Sequence, residues 1–209
     1  MKKRIGLMGG TFDPIHLGHL NIAEQAYREY GLDCIWFMPS RIPPHKHDHR
    51  ITSAEDRVAM VEAAIAPFPY FVCSDYELRR ESENTYTADT VRLLKQDYPD
   101  TEFYFIVGED SVRHIETWYH PEYVLKEIPF LAAQREDEET LGPETDELTP
   151  LIRQLEKKYG ARIDILHCRE MDISSADIRG RLREGKDVSD VLPGGVIDII
   201  RDRKLYTEE

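Results

Sequence analysis

Six short apolar runs recur along the chain, at residues 4–9, 34–39, 70–74, 102–108, 129–134 and 162–167. Several are rich in β-branched or aromatic residues and lack strict alternation with polar ones, as expected of strands covered on both faces. Between them the apolar positions follow helical spacing, over 20–30, 53–65, 87–97, 110–116, 122–127 and 147–159. Ser53 and Asp56 stand at the spacing of a helix-start cap. Strand and helix in alternation predict a parallel α/β sheet with right-handed crossovers: a Rossmann-like, doubly wound sheet. From about residue 170 to 209 the pattern turns helical, over 174–183 and 191–203, punctuated by Gly185 and a Pro193-Gly194-Gly195 turn. A C-terminal helical tail is therefore expected to close the sheet.

Directly after the first run, residues 9–19 read Gly-Gly-Thr-Phe-Asp-Pro-Ile-His-Leu-Gly-His, and a helical stretch follows. Glycines allow close approach of a ligand to the backbone. A helix start offers unpaired N–H groups and the positive end of its dipole. His16 and His19 are three apart, so if Ile15 or His16 opens the helix both rings project from one side of its first turn. The volume they enclose suits a phosphate. As residues alone, Gly9 and Gly10 also fit an ordinary turn, and the histidines a surface or buried hydrogen-bonded pair. A zinc site would lack Cys or carboxylate partners at ligand spacing.

Composition narrows the choice. A chain of 209 residues, 41% hydrophobic, is most simply one domain spanning 1–209. It has no apolar run near the ~18 residues of a membrane span and no signal-peptide pattern, so a soluble, cytoplasmic protein with no membrane partner is expected. Cys34, Cys73 and Cys168 are odd in number and widely spaced, and read as reduced core residues. A net charge of −13 argues against coating nucleic acid. Against it stands a local basic loop, Arg41, His45, Lys46, His47, His49 and Arg50, which suits a small anion and equally a solvated or adventitiously metal-binding loop. Residues 136–147 carry seven acidic groups and read as an exposed connection.

Ligands of open α/β sheets bind at the carboxyl ends of the strands, near the reversal of strand order. Four segments placed there carry suitable chemistry: 9–19, 43–46, 108–110 and 173–179. In the last, Ser174 and Ser175 open a helix with Arg179 one turn on, a hydroxyl and guanidinium set that suits phosphate oxygens. By themselves these residues also fit a plain serine cap and a solvated arginine. Trp118 offers a flat apolar face, and Asp110 an acceptor for ribose hydroxyls. Trp118 and Tyr119 equally fit a core aromatic pair.

The His-x-Gly-His element resembles the signature of the nucleotidyltransferase superfamily, and residues 173–179 resemble the Ile-Ser-Ser-Thr-x-x-Arg element of adenylyltransferases, with Ala176 in place of Thr. With Pro43-Pro44-His45-Lys46, Thr85-Tyr86-Thr87-Ala88-Asp89-Thr90, Gly108-Glu109-Asp110 and Thr117-Trp118-Tyr119 in this order, the chain resembles the bacterial nicotinate-nucleotide adenylyltransferases from Arg4 to Tyr206, the acidic stretch apart. The resemblance implies transfer of adenylyl from ATP to nicotinate mononucleotide, giving nicotinate adenine dinucleotide and pyrophosphate. It implies that Gly9, Gly10, Thr11, Phe12, Gly18, Ile173, Ser174 and Ser175 hold ATP. Thr87, Trp118 and Tyr119 would hold the pyridine nucleotide, with Gly108 and Asp110 near ribose. Backbone N–H groups near Thr87 and Tyr119 would prefer the acid to the amide. His16, His19, Lys46 and Arg179 would handle the charge of the reaction, and Mg²⁺ would be held mainly by ATP phosphates, with no protein ligand named. Alternatives are a sibling transferase with another phosphorylated acceptor and a non-catalytic nucleotide sensor. A homo-oligomer is left open.

Overall fold

Strand β1 (Lys3–Gly10) lies inside a six-stranded sheet of order β3-β2-β1-β4-β5-β6, and every neighbouring pair runs parallel. The other strands are β2 (Cys34–Pro39), β3 (Phe71–Cys73), β4 (Thr101–Gly108), β5 (Phe130–Glu136) and β6 (Ile163–Arg169). The computed structural model describes residues 2–41, 51–80, 85–136, 148–169, 171 and 173–207. Residues 42–50, with Lys46 and the basic loop past Arg41, and residues 137–147 of the acidic stretch lie outside them.

The apolar runs are continuous because both faces of the sheet are buried. In β1, Ile5 and Leu7 enter one core layer while Met8 enters the other; in β4, Phe103, Phe105 and Val107 oppose Tyr104 and Ile106. Helices α1 (Leu17–Glu29) and α2 (Ala54–Ile65) cover the second layer, joined by α7 (Ser175–Arg183) and α8 (Gly194–Asp202). Helices α3 (Thr87–Asp97), α4 (Glu109–Arg113), α5 (Pro121–Glu127) and α6 (Leu148–Tyr159) cover the first. Fully buried side chains such as Leu7 and Leu131 each contribute about 1.5–3 kcal/mol by leaving water. This is the doubly wound architecture that the alternation of periods predicts, with the strand order reversing between β1 and β4. Among the described residues no helix is long and apolar enough to cross a membrane.

Element ends differ from the apolar pattern where capping decides them. Ser53 accepts from the N–H of Asp56 at 3.0 Å, and α2 begins there as the spacing predicts. Helix α1 starts three residues before its apolar pattern, with His16 as its N-cap in extended conformation. In the tail the pattern predicts a helix from 191, but α8 starts at Gly194 with Pro193 at its cap. Pro193 has no N–H and suits only a helix start, so Val191 and Leu192 form a buried turn closed on the carbonyl of Val188. The stretch 110–116 divides into α4 and a 3-10 turn at Ile115–Thr117, which brings Trp118 out of the helix in extended conformation.

Candidate active site

Strands β1 and β4 pair from Lys3↔Thr101 up to Leu7↔Phe105, and both continue past that point. Beyond it β1 follows β2 to Gly10↔Pro39, while β4 follows β5 to Gly108↔Ala133. The two strands therefore part at their carboxyl ends. A cleft of about 440 Å³ opens in the fork, walled by Met8, Gly9 and Gly10 on one side and Ile106, Val107 and Gly108 on the other. Thr11, His19 and Ser40 continue the first side, and Thr85, Tyr86 and Thr87 at the start of α3, with Ser111, Trp118 and Tyr119 after β4, the second; Glu77, on the turn after β3, also lines the cleft and is bonded to Thr90 of α3.

Of the residues singled out in the sequence, Gly9, Gly10, Thr11, His19, Thr87, Gly108, Trp118 and Tyr119 line this cleft. A Cβ at residue 10 would stand 3.1 Å from the Phe12 ring, a contact tight enough that the ring would have to shift. Phe12 itself does not line the cleft. It takes the left-handed conformation (φ 51°) and buries its ring edge-on to His19 and against Phe37. That backbone strain is rare for a bulky residue, and the buried ring offsets it.

The two histidines share one face of the first turn, as their spacing predicts, with ring centroids 3.8 Å apart, but they are not equivalent. His16 is buried beneath the turn, and desolvation lowers its pKa to about 4, so it is neutral at pH 7. Gly18 makes room for it: a Cβ there would lie 3.0 Å from His16 Nδ1. The backbone N–H of His16 donates to His19 Nδ1 at 3.3 Å. That bond selects the tautomer in which Nε2–H is the donor His19 can present. The N–H of Leu17, which the helix start was expected to leave open, is taken by the carbonyl of Val191 at 3.0 Å.

The element at 173–179 packs beside this turn, with Ile173 Cβ 3.9 Å from where a Cβ on Gly18 would stand. Its hydroxyls have partners within the protein. Ser174 caps α7, accepting from the Asp177 N–H at 3.1 Å and donating to the Asp177 carboxylate. Ser175 donates to the carbonyl of Pro14 at 2.9 Å, and Arg179 Nη1 to the carbonyl of Asp13 at 2.7 Å. Both bonds latch α7 to the glycine-histidine loop. Ile173, Ser174, Ser175 and Arg179 thus flank the cleft without lining it. Asp110 is exposed and likewise off the cleft; its neighbour Ser111 takes that place.

Arg57 is a site residue that sequence reasoning missed, because on α2 it reads as one polar residue of an amphipathic helix. It is 1% exposed. Its guanidinium donates to the carbonyls of Thr52 at 3.0 Å, Thr11 at 2.7 Å and Ser40 at 2.8 Å, so one buried cation fixes the loop after β1, the end of β2 and the start of α2. Burial lowers its pKa, opposed by the charge of nearby Asp13. On the same loop Tyr206 donates to Asp13 Oδ1 at 2.7 Å. Burial and that carboxylate both raise the Tyr206 pKa. Tyr86, whose ring lies tilted against that of Tyr119 with centroids 4.4 Å apart, and Glu77 were also not singled out. Their only sequence signal was membership of a motif or its flank.

Residues 7–181 match the family model described as cytidylyltransferase-like. The chain is similar to a protein named probable nicotinate-nucleotide adenylyltransferase from Lachnoclostridium phytofermentans, 41% identical over 204 residues that cover 98% of this chain and 99% of that one. A like-named protein of Exiguobacterium sibiricum is 40% identical over 203 residues, covering 97% and 98%. Its fold is similar to that of the Plasmodium falciparum nicotinic acid mononucleotide adenylyltransferase complexed with APC, with a TM-score of 0.77 at 23% identity over 98% of this chain and 97% of that one.

Proposed function

The chain belongs to the cytidylyltransferase-like family and, within it, to the nicotinate-nucleotide adenylyltransferases, and we propose the residue roles by which it joins ATP to nicotinate mononucleotide. The observation that carries this reading is the forked cleft itself, which sets a glycine-histidine wall opposite a wall of hydroxyl, N–H and aromatic groups. The first suits a triphosphate, the second a pyridine ribonucleotide.

An oxygen of the acceptor phosphate attacks the α-phosphorus of ATP. A bond forms between them, and the bond from that phosphorus to the oxygen bridging the β-phosphate breaks, releasing pyrophosphate. The nucleophile is already ionised near neutral pH, so positioning and charge stabilisation carry the reaction. His19 donates through Nε2–H to the oxygens gaining charge at the α-phosphorus. His16, neutral and buried, orients that ring. The backbone of Gly9, Gly10 and Thr11 receives the phosphates, and Arg179 uses donors beyond the one held by Asp13 on the leaving group. Lys46, outside the described residues, joins it on the resemblance alone. Trp118 and Tyr119 offer faces to the pyridine ring.

Among the described residues no three His, Cys, Asp or Glu side chains converge as a metal cage. Magnesium would be carried mainly by the phosphate oxygens of ATP and water, where it would neutralise phosphate charge.

The test is pyrophosphate release from ATP with nicotinate mononucleotide, nicotinamide mononucleotide, phosphopantetheine or glycerol 3-phosphate as acceptor. Nicotinate mononucleotide should give the highest kcat/KM. Preferred use of phosphopantetheine or glycerol 3-phosphate would overturn the acceptor assignment, and ATP binding with no turnover of any acceptor would leave a nucleotide sensor.

A further inference from the structure

Among the described residues that line the cleft, one carries a carboxyl, Glu77. Glu77 stands on the turn after β3 and is 8% exposed. Thr90, wholly buried in the first turn of α3, donates its hydroxyl to Glu77 Oε1 at 2.8 Å and accepts from Arg80 Nη1 at 3.1 Å. The N–H of Thr90 closes that turn on the carbonyl of Tyr86 at 3.1 Å. The carboxyl is therefore tied to the turn that presents Tyr86 and Thr87 to the acceptor. Also lining the cleft are His19 from α1, Ser40 after β2, Tyr86, Ser111 of α4 and Tyr119. Among the described residues the charge acting on Glu77 is that of Arg80, while Asp89 and Arg92 on α3 pair with each other at 3.2 Å.

Burial pushes the Glu77 carboxyl up to about 7, against the lowering effects of the Thr90 hydrogen bond and Arg80. Near neutral pH the carboxyl is thus divided between its two forms. An acceptor bearing a phosphate and a carboxylate brings negative charge into the same cleft, and like charges at close range disfavour each other.

We propose that Glu77 is a positioning residue for the acceptor that acts in its neutral form, so that an anionic acceptor enters the cleft with Glu77 taking up a proton wherever it was ionised beforehand. This rests on the acceptor being the mononucleotide named above. The sign follows from linkage: binding that favours the protonated form is tightest below the titration of Glu77 and weakens as pH rises through it. A merely structural glutamate would leave the pH profile of KM unchanged when replaced by its neutral isostere.

The test measures KM for nicotinate mononucleotide, and separately for ATP, from about pH 6 to about pH 8.5 in the wild type and in Glu77→Gln. The glutamine keeps an oxygen for the Thr90 hydroxyl. In the wild type the acceptor KM should rise about tenfold across the range beyond any change in Glu77→Gln, whose profile also contains the titration of the acceptor's own phosphate. The ATP profiles of the two proteins should coincide. Thr90→Val, which removes the hydrogen bond favouring the charged form, should move the midpoint of the rise to higher pH, and it serves as a second reading should Glu77→Gln fold poorly. Identical acceptor profiles in wild type and Glu77→Gln, or an unmoved midpoint in Thr90→Val, would overturn the role of Glu77. Absence of turnover with nicotinate mononucleotide in the wild type would instead overturn the acceptor assignment.

Discussion

The two walls of the cleft are built in opposite ways. The glycine-histidine wall is held from behind by part-buried polar bonds: Arg57 on Thr11 and Ser40, Arg179 on Asp13, Ser175 on Pro14 and Tyr206 on the Asp13 carboxylate. The acceptor wall presents aromatic surface: Tyr119 is 48% exposed and leans at a tilt on Tyr86, while Trp118 and Phe105 meet edge to face. Where charge develops during the reaction, donors must stand ready, because reorganising them then would raise the barrier. Where a flat ring is recognised, an exposed face is enough, and the ligand itself completes the packing.

The largest effect should separate chemistry from scaffolding on the first wall. His19→Ala should lower kcat by about two to three orders of magnitude, equivalent to ~3–4 kcal/mol, with little change in KM for ATP or in melting temperature. Activity within about threefold of wild type together with a lowered melting temperature would make His19 a structural residue. Next, Arg57→Met should strike both stability and rate, since it leaves the carbonyls of Thr11, Ser40 and Thr52 buried without their donor. A loss of about 3 kcal/mol in denaturant unfolding is expected, with kcat reduced at temperatures where the variant remains folded. Wild-type kcat in such a destabilised variant would show that the loop holds its shape without the clamp.

The second wall should respond in KM and hardly in stability. Trp118→Ala should raise KM for both nicotinate and nicotinamide mononucleotide by roughly tenfold, within the ~1–3 kcal/mol of an aromatic stacking face. Thr87→Ala should blunt a preference for the acid only modestly if N–H groups carry it: an ionised carboxylate only accepts, whereas an amide presents two donors. Comparing kcat/KM for the two acceptors across wild type and both variants measures this. An unchanged KM in Trp118→Ala would remove the stacking face from the account, and equal use of both acceptors by the wild type would remove the discrimination.

The sequence by itself determined the sheet and the identity of its loops. Continuous apolar runs alternating with helical periods can be satisfied only by strands buried on both faces between helices, and the motifs at 9–19, 85–90 and 117–119 follow from residue order alone. The tertiary structure decided which chemistry faces the cleft. Phe12 turned inward, Ser111 displaced Asp110, and the hydroxyls of Ser174 and Ser175 were spent on a cap and on Pro14. Arg57 became a clamp, and His16 a buried neutral neighbour of His19, only when α2 and the tail packed beside the loop after β1. Periodicity records which face of an element is apolar. Whether a polar side chain on the other face meets water, a carbonyl or a ligand depends on segments far away in sequence, as with Tyr206 on Asp13, and those contacts exist only once the chain has folded.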